Sequence, residues 1–107
     1  MEKQFKVRAA HCDYRATEEE IYQTLRRITD PLTCAWKPIE NAKKVVMKFN
    51  MMKPAERIIY YEGRRRELVD DATCRAVLRL IKEHTTAQLV ATDTNPYTAS
   101  DAAQFQL

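Results

Sequence analysis

Polar residues able to bind a ligand stand where two apolar segments of this chain end. Lys48 and Asn50 end the first segment, and Asp93 and Asn95 end the second. An ammonium group supplies positive charge, an amide orients a ligand through hydrogen bonds, and a carboxylate balances the ammonium or helps to hold a cation. The sequence therefore predicts ligand binding by these four side chains.

The pair Lys48 and Asp93 also allows a simpler interpretation, a structural ion pair that caps two strand ends. A site for a small polar or phosphorylated ligand is the second interpretation. A divalent metal held by His11, Asp13 and Asp93 is the third, but no spacing motif demands it. We therefore predict no metal ligand among these residues.

Three consecutive arginines, Arg64, Arg65 and Arg66, directly precede a predicted helix. Guanidinium groups beside the unpaired N–H groups of a helix N-terminus make a good anion site. Residues 51–66 hold five basic and two acidic side chains, so the whole net charge of +3 lies in this segment. We expect the arginines to hold or gate a small anion, with a solvated charged face as the alternative.

Several classes of site are excluded by composition. Gly63 is the only glycine, whereas a dinucleotide-binding or Walker A turn needs several. Adjacent strand residues point to opposite faces, so His11 and Cys12 cannot form a nucleophile–base pair without a turn between them. No nucleic-acid recognition motif accompanies the arginines, so nucleic-acid binding is not expected. Whether the chain is an enzyme stays open.

The three cysteines are far apart and form no C-x-x-C motif. They cannot by themselves build a zinc knuckle or an iron–sulfur cluster. We expect buried, reduced thiols and no cofactor within this chain.

The hydrophobic pattern predicts three strands alternating with two helices. Thr17 and Glu20 have the spacing of a capping box, which marks the start of the first helix, and Asp30 with Pro31 marks its end. The second helix is expected within residues 67–84. The predicted strands are residues 5–10, 43–50 and 87–93.

This order predicts an α/β fold, a three-stranded mostly parallel sheet (strand-helix-strand-helix-strand) with helices packed on it. Residues 1–95 form a single α/β domain or half-domain, and residues 96–107 form a C-terminal loop or frayed tail. Three strands leave such a sheet incompletely covered. We therefore expect a homo-oligomer, or a missing C-terminal half of a longer protein.

The connection 51–66 is long for a small domain. Its apolar residues 58–61 are expected to form a short extra strand, a flap or a partner interface. This gives a rival function, a non-catalytic protein-interaction or oligomerisation module that docks through residues 51–66.

Three stretches, "KKVVMKFNMMKP", "RRRELVDDATCRAVLRLIKE" and "AQLVATDTNPY", together resemble the N-terminal half of the uncharacterised family called domain of unknown function three-six-two. In that family a strand ends in Lys-x-Asn, and a later strand ends in Asp. The resemblance matches Lys48, Asn50 and Asp93 to these positions.

Members of that family are longer and often fused to ferredoxin-type 4Fe–4S domains, which implies redox or cofactor-related work. This chain lacks the second half and every cluster motif, so a 4Fe–4S cluster is expected only in a missing domain or a partner. The resemblance implies a small polar or anionic ligand-binding part of a redox-associated iron–sulfur family protein.

The chain has no window of 18 uncharged apolar residues and no signal-peptide apolar region near its start. The expectation is a cytoplasmic protein that does not enter the membrane.

Overall fold

A computed structural model describes residues 5–32, 34–50, 58–65 and 68–93 of the 107-residue chain. The predicted tail at residues 96–107 lies outside these ranges, as do the predicted ligand residues Arg66 and Asn95. The predicted domain end at residue 95 also lies outside them.

Helix α1 runs over Glu18–Thr29 and begins as predicted. The Thr17 hydroxyl accepts a hydrogen bond from the backbone N–H of Glu20, and the Glu20 carboxylate accepts one from the N–H of Thr17, which completes the capping box. Three glutamates in the first turn and two arginines in the last agree with the helix dipole. The sequence alone therefore specified where this helix starts.

Helix α2, Lys37–Glu40, is one turn long and has a proline at its start. Helix α3 covers Asp71–His84 and starts four residues later than predicted. Asp70 is its N-cap, with φ −75° and ψ 141°, and its side chain accepts a hydrogen bond from the N–H of Thr73.

The core lies between α1 and α3. Tyr22 of α1 is only 1% exposed and packs with Ala76 and Leu80 of α3. Ile21, Leu25 and Trp36 cover this cluster from its edge. The centre of this cluster thus comes from one side chain of α1 and two of α3. Within the part described, no residue of the sheet is fully buried.

The expectation of buried thiols is correct for one cysteine. Cys74 is fully buried on α3, whereas Cys12 and Cys34 are exposed. The difference follows from position, because Cys12 and Cys34 lie in irregular segments that flank α1 and α2.

Strands β1, Lys44–Lys48, and β4, Gln88–Thr92, pair in parallel with Lys44 opposite Gln88 and Lys48 opposite Thr92. The parallel pairing agrees with the predicted α/β class. A right-handed crossover through α3 is the usual way to join such strands. The register places the carboxyl ends of both strands at the same edge.

The predicted three-stranded sheet is not formed by the residues described, which give a parallel sheet of two strands. Residues 5–10 have no regular structure, and Phe5 and Val7 are 85% and 89% exposed. An alternating pattern suits a strand, but a strand also needs a neighbour for its hydrogen bonds. The sheet is also not covered on both faces, since Val46 is 58% exposed.

The connection between β1 and α3 contains an antiparallel hairpin, where the sequence predicted a short extra strand, a flap or a partner interface. Strand β2, Tyr60–Tyr61, pairs with β3, Arg64–Arg65. Its two-residue turn has positive φ at both positions, 47° at Glu62 and 80° at Gly63. Turns of this kind match the twist of the flanking strands.

No helix in the described ranges is long and apolar enough to cross a membrane.

Candidate functional site

The carboxyl ends of β1 and β4 form what we call the rim, made by Lys48, Asn50 and Asp93. The ladder continues one residue past the end of β1, since the Phe49 N–H donates to the Thr92 carbonyl at 2.9 Å. Lys48 Nζ then lies 3.8 Å from Asp93 Oδ1. The ion pair that the sequence suggested is therefore present, and parallel topology is what brings its two members together.

This ion pair joins an exposed cation to a nearly buried anion. The Lys48 side chain is 70% exposed, whereas that of Asp93 is 9% exposed. At 3.8 Å the contact is longer than a charge-assisted hydrogen bond, and a pair with one solvated member contributes at most about 1 kcal/mol to folding. The ammonium group can thus still contact a second anion from the solvent side.

Asn50 joins the rim to the start of α3 through its backbone. Its carbonyl accepts a hydrogen bond from the N–H of Val69 at 2.6 Å. This contact holds the chain after β1 against the segment that enters α3. The predicted role of the Asn50 amide in orienting a ligand stays a prediction.

Arg64 is engaged inside the protein. Its Nη1 lies 2.6 Å from Oδ2 of Asp70, and its Nη2 donates to the carbonyl of Ala16. Because Asp70 also caps α3, a carboxylate of the chain itself occupies the place where the sequence predicted an external anion. Arg65 lies in β3, and Arg66 lies outside the described residues.

The hairpin is attached to the segment before α1 by residues that sequence reasoning did not select. The Tyr14 hydroxyl donates to Glu62 at 2.7 Å, and the Tyr14 ring lies 5.6 Å from that of Tyr61. The hydrogen bond to Glu62 raises the pKa of Tyr14 above its usual value. The hydrogen bond joins residues that are 48 positions apart in the sequence, so no local sequence pattern predicts it.

Asp13 was considered as a metal ligand, but the structure pairs it with Arg15. Asp13 Oδ1 accepts from the backbone N–H of Arg15 at 2.8 Å and lies 3.2 Å from its Nε. The hydrogen bonds from Arg15 lower the pKa of Asp13. Within the described ranges, no group of three or more His, Cys, Asp or Glu residues could hold a metal ion.

A polar network covers the interface of α1 and α3. The Tyr22 hydroxyl donates to Glu83, and the Arg79 guanidinium lies 3.7 Å from the centre of the Tyr22 ring. Arg79 also pairs with Glu19. The hydrogen bond to Glu83 raises the pKa of Tyr22, with a further contribution from burial. This network joins two helices and has the character of a structural contact.

Trp36 stacks on His84, the last residue of α3. Their ring planes are 6° apart and their centroids 4.3 Å apart. The stack fastens the segment before α2 to the last turn of α3, so it fixes the path of the chain into β1.

A 4Fe–4S cluster takes four thiolate ligands, and this chain has three cysteines.

Comparison with known proteins finds no matching family model, no matching curated protein and no matching solved structure.

Proposed function

We propose that this chain is a protein-interaction or oligomerisation module, an α/β unit whose sheet and hairpin are covered by another polypeptide. The observation that carries the proposal is the exposure of large apolar side chains on the elements that a partner would cover. These are Tyr14, Val46, Ile59, Tyr60 and Tyr61. They are joined by Phe5 and Val7 in the segment before α1.

The sheet supports this proposal because it is too small to stand alone. Parallel sheets are normally buried on both faces, and two strands without further cover are marginal in water. Here Lys44, Val46 and Lys48 all lie on an exposed face of β1. A partner that covers Val46 would turn an exposed face into a core face.

The hairpin supplies the chemistry of an interface. Aromatic side chains are enriched at the energetic centres of protein–protein contacts, and Tyr60 and Tyr61 lie exposed on β2. Tyr60 and Tyr61 each expose about half of their surface. The hydrogen bonds from Tyr14 to Glu62 and from Arg64 to the Ala16 carbonyl fix the position of the hairpin, so its aromatic side chains are pre-organised.

The test is the molecular mass of the chain in solution over a range of concentrations. The double variant Ile59→Ser with Tyr60→Ser removes apolar surface and leaves the Tyr14–Tyr61 contact intact. We expect it to weaken association at least tenfold, because each lost side chain contributes about 1.5–3 kcal/mol when fully buried.

Arg27→Ser is the matched control, since Arg27 is exposed near the other end of α1. A parent chain that stays monomeric over the whole concentration range would sink the proposal.

A second candidate function rests on the rim alone, a binding site for a small anionic ligand. The exposed Lys48 beside the nearly buried Asp93 favours it. In this proposal Lys48 supplies charge and Asn50 orients the ligand, as part of a redox-associated protein of the iron–sulfur family that the sequence resembles. Its location in the cytoplasm is part of the same proposal.

Inorganic phosphate is the probe for this candidate, in a thermal-shift titration. Lys44 lies on the same exposed face of β1, four residues before Lys48, so Lys44→Met is a control for loss of charge. Phosphate should stabilise the parent and Lys44→Met but not Lys48→Met. At one hundred times its Kd a ligand adds about 2.7 kcal/mol to stability. If phosphate changes the melting temperature of the parent, Lys44→Met and Lys48→Met by the same amount, the contact between Lys48 and Asp93 is only a structural ion pair.

A further inference from the structure

The outer edge of β4 has backbone groups that point away from β1. The N–H of Gln88 donates to the carbonyl of Lys43, and the carbonyl of Thr92 accepts from Phe49. Along a parallel strand the N–H and C=O of one residue point to the same side, and the side alternates from residue to residue. Leu89 and Ala91 therefore direct their N–H and C=O groups outward. Among the described residues, β1 is the strand that pairs with β4.

The two outer edges of this sheet differ in charge. β1 begins and ends in lysine, at Lys44 and Lys48, and lysine on an edge strand discourages pairing with another strand. β4 has the sequence QLVAT, which contains no charge, no proline and no glycine. Its edge is therefore the one that is chemically suited to accept a further strand.

The same chain contains a segment with the character of such a strand. In residues 5–10, FKVRAA, Phe5, Val7 and Ala9 alternate with Lys6 and Arg8. The structure leaves this segment irregular and exposed beside Pro31 and Leu32. Two basic side chains disfavour pairing with the lysine-bearing edge of β1 and are compatible with the uncharged β4.

We infer that residues 5–10 of one copy add as a third, parallel strand to the β4 edge of a second copy, and that the second copy returns the same contact. This inference rests on the proposed function and names its partner. Within the segment that joins the donated strand to α1, the N–H of Ala16 donates to the carbonyl of Asp13, and Tyr14 and Ala16 contact the hairpin. Residues 11 and 12 therefore lead from this anchored turn to the donated strand, and the 85% and 89% exposure of Phe5 and Val7 leaves that strand accessible to a second copy. Mutual exchange of one element is a common route to symmetric dimers.

The exchange also completes the rim. Residues 11–13 follow the donated strand directly, so parallel addition brings a second copy's His11 and Asp13 to the edge that holds Lys48 and Asp93. The predicted three-stranded sheet then forms between copies. Each rim is built from two chains.

The experiment is sedimentation velocity on the full chain and two variants. Ala91→Pro removes an outward N–H from β4 and leaves the hydrogen bonds to β1, which is the edge position where proline is tolerated. Phe5→Ser with Val7→Ser removes the apolar face of the donated segment. Neither side chain belongs to the core cluster, so the fold should not be disturbed. Both should raise the dimer Kd at least tenfold.

Lys6→Ser with Arg8→Ser is the matched control on the other face of the same segment. Its dimer Kd should stay within about threefold of the parent value, because the uncharged β4 edge makes no ion pair with Lys6 or Arg8. Circular dichroism checks that Ala91→Pro stays folded. A synthetic peptide of residues 1–12 should compete with the donated strand and dissociate the dimer.

Two results would overturn the inference. In the first, Ala91→Pro and Phe5→Ser with Val7→Ser associate as tightly as the parent, whereas Ile59→Ser with Tyr60→Ser associates more weakly. The proposed interaction module then stands, but strand donation fails. If the chain is monomeric at all concentrations and the amides of residues 5–10 are protected from exchange, the segment pairs within its own subunit.

Discussion

At the scale of single residues, Arg64 shows how a charge that suits a ligand can be used by the fold. Its guanidinium joins Asp70, the N-cap of α3, to the carbonyl of Ala16 just before α1. Arg64 in the hairpin therefore joins the nearby start of α3 to the segment before α1, which lies 48 residues away in sequence. Lys48 differs, because its ammonium stays exposed even though it pairs with Asp93.

Tyr22 gives a prediction about alkaline pH. Its hydrogen bond to Glu83 raises its pKa above the usual 10.0, so the folded chain holds this proton more tightly than the unfolded chain does. The stabilisation is complete below the usual value and is lost as the pH rises through the raised one. Tyr22→Phe should therefore make stability less dependent on pH in that alkaline range.

The measurement is the absorbance of tyrosinate during an alkaline titration. Tyr14 also has a raised pKa, through Glu62. Tyr22→Phe should remove one late-titrating tyrosine, and Tyr14→Phe should remove another. A titration that Tyr22→Phe leaves unchanged would mean that the bond to Glu83 does not persist in solution.

At the scale of elements, the start of α3 depends on two functions of Asp70. Asp70→Asn keeps an acceptor for the N–H of Thr73 but removes the charge that pairs with Arg64. Asp70→Ala removes both. Urea unfolding should show that the alanine variant is about 1 kcal/mol less stable than the asparagine variant, which is the typical contribution of a cap.

Thr17→Ala at the start of α1 is the control, because it removes a cap that carries no ion pair. It should cost about 1 kcal/mol. If Asp70→Asn and Asp70→Ala unfold at the same urea concentration, the cap contributes nothing and the ion pair alone holds this helix end.

The hairpin turn depends on Gly63. Its φ of 80° suits glycine, although space for a Cβ is open. An alanine there should cost about 1–2 kcal/mol from backbone strain and speed hydrogen exchange of the hairpin amides. Gly63→Asn should cost less, because asparagine tolerates this conformation. Equal exchange rates in both variants and the parent would show that the hairpin is already open.

At the scale of the whole molecule, the described core is small. Its buried apolar residues are Ala16, Tyr22, Cys74, Ala76 and Leu80. A domain keeps only a small margin between large opposing terms, so cover from a partner would raise stability substantially. Association and folding are then linked.

This linkage predicts that the melting temperature rises with protein concentration. Each tenfold increase should stabilise the associated form by about 1.4 kcal/mol, because binding to the folded state alone shifts the folding equilibrium. Differential scanning calorimetry over a dilution series measures it. A melting temperature that stays constant over the series would contradict association through this fold.

Much of the local structure could be predicted because it depends on neighbouring residues. The capping box of Thr17 and Glu20 placed the start of α1. The hairpin was anticipated at most as a short extra strand, although its Glu62–Gly63 turn is a local signal. The start of α3 was predicted four residues too early, since Asp70 takes an extended backbone and begins the helix itself.

The sequence by itself predicted the start of α1, a helix at the position of α3, the parallel class of the sheet and the charged residues that follow its strands, because periodicity, caps and strand–helix alternation act over short distances. Only the tertiary structure decided that Arg64 pairs with Asp70, that Tyr14 holds the hairpin, and that residues 5–10 stay outside the two-stranded sheet. Such contacts depend on which groups meet in space, and a local pattern contains no information about a distant partner.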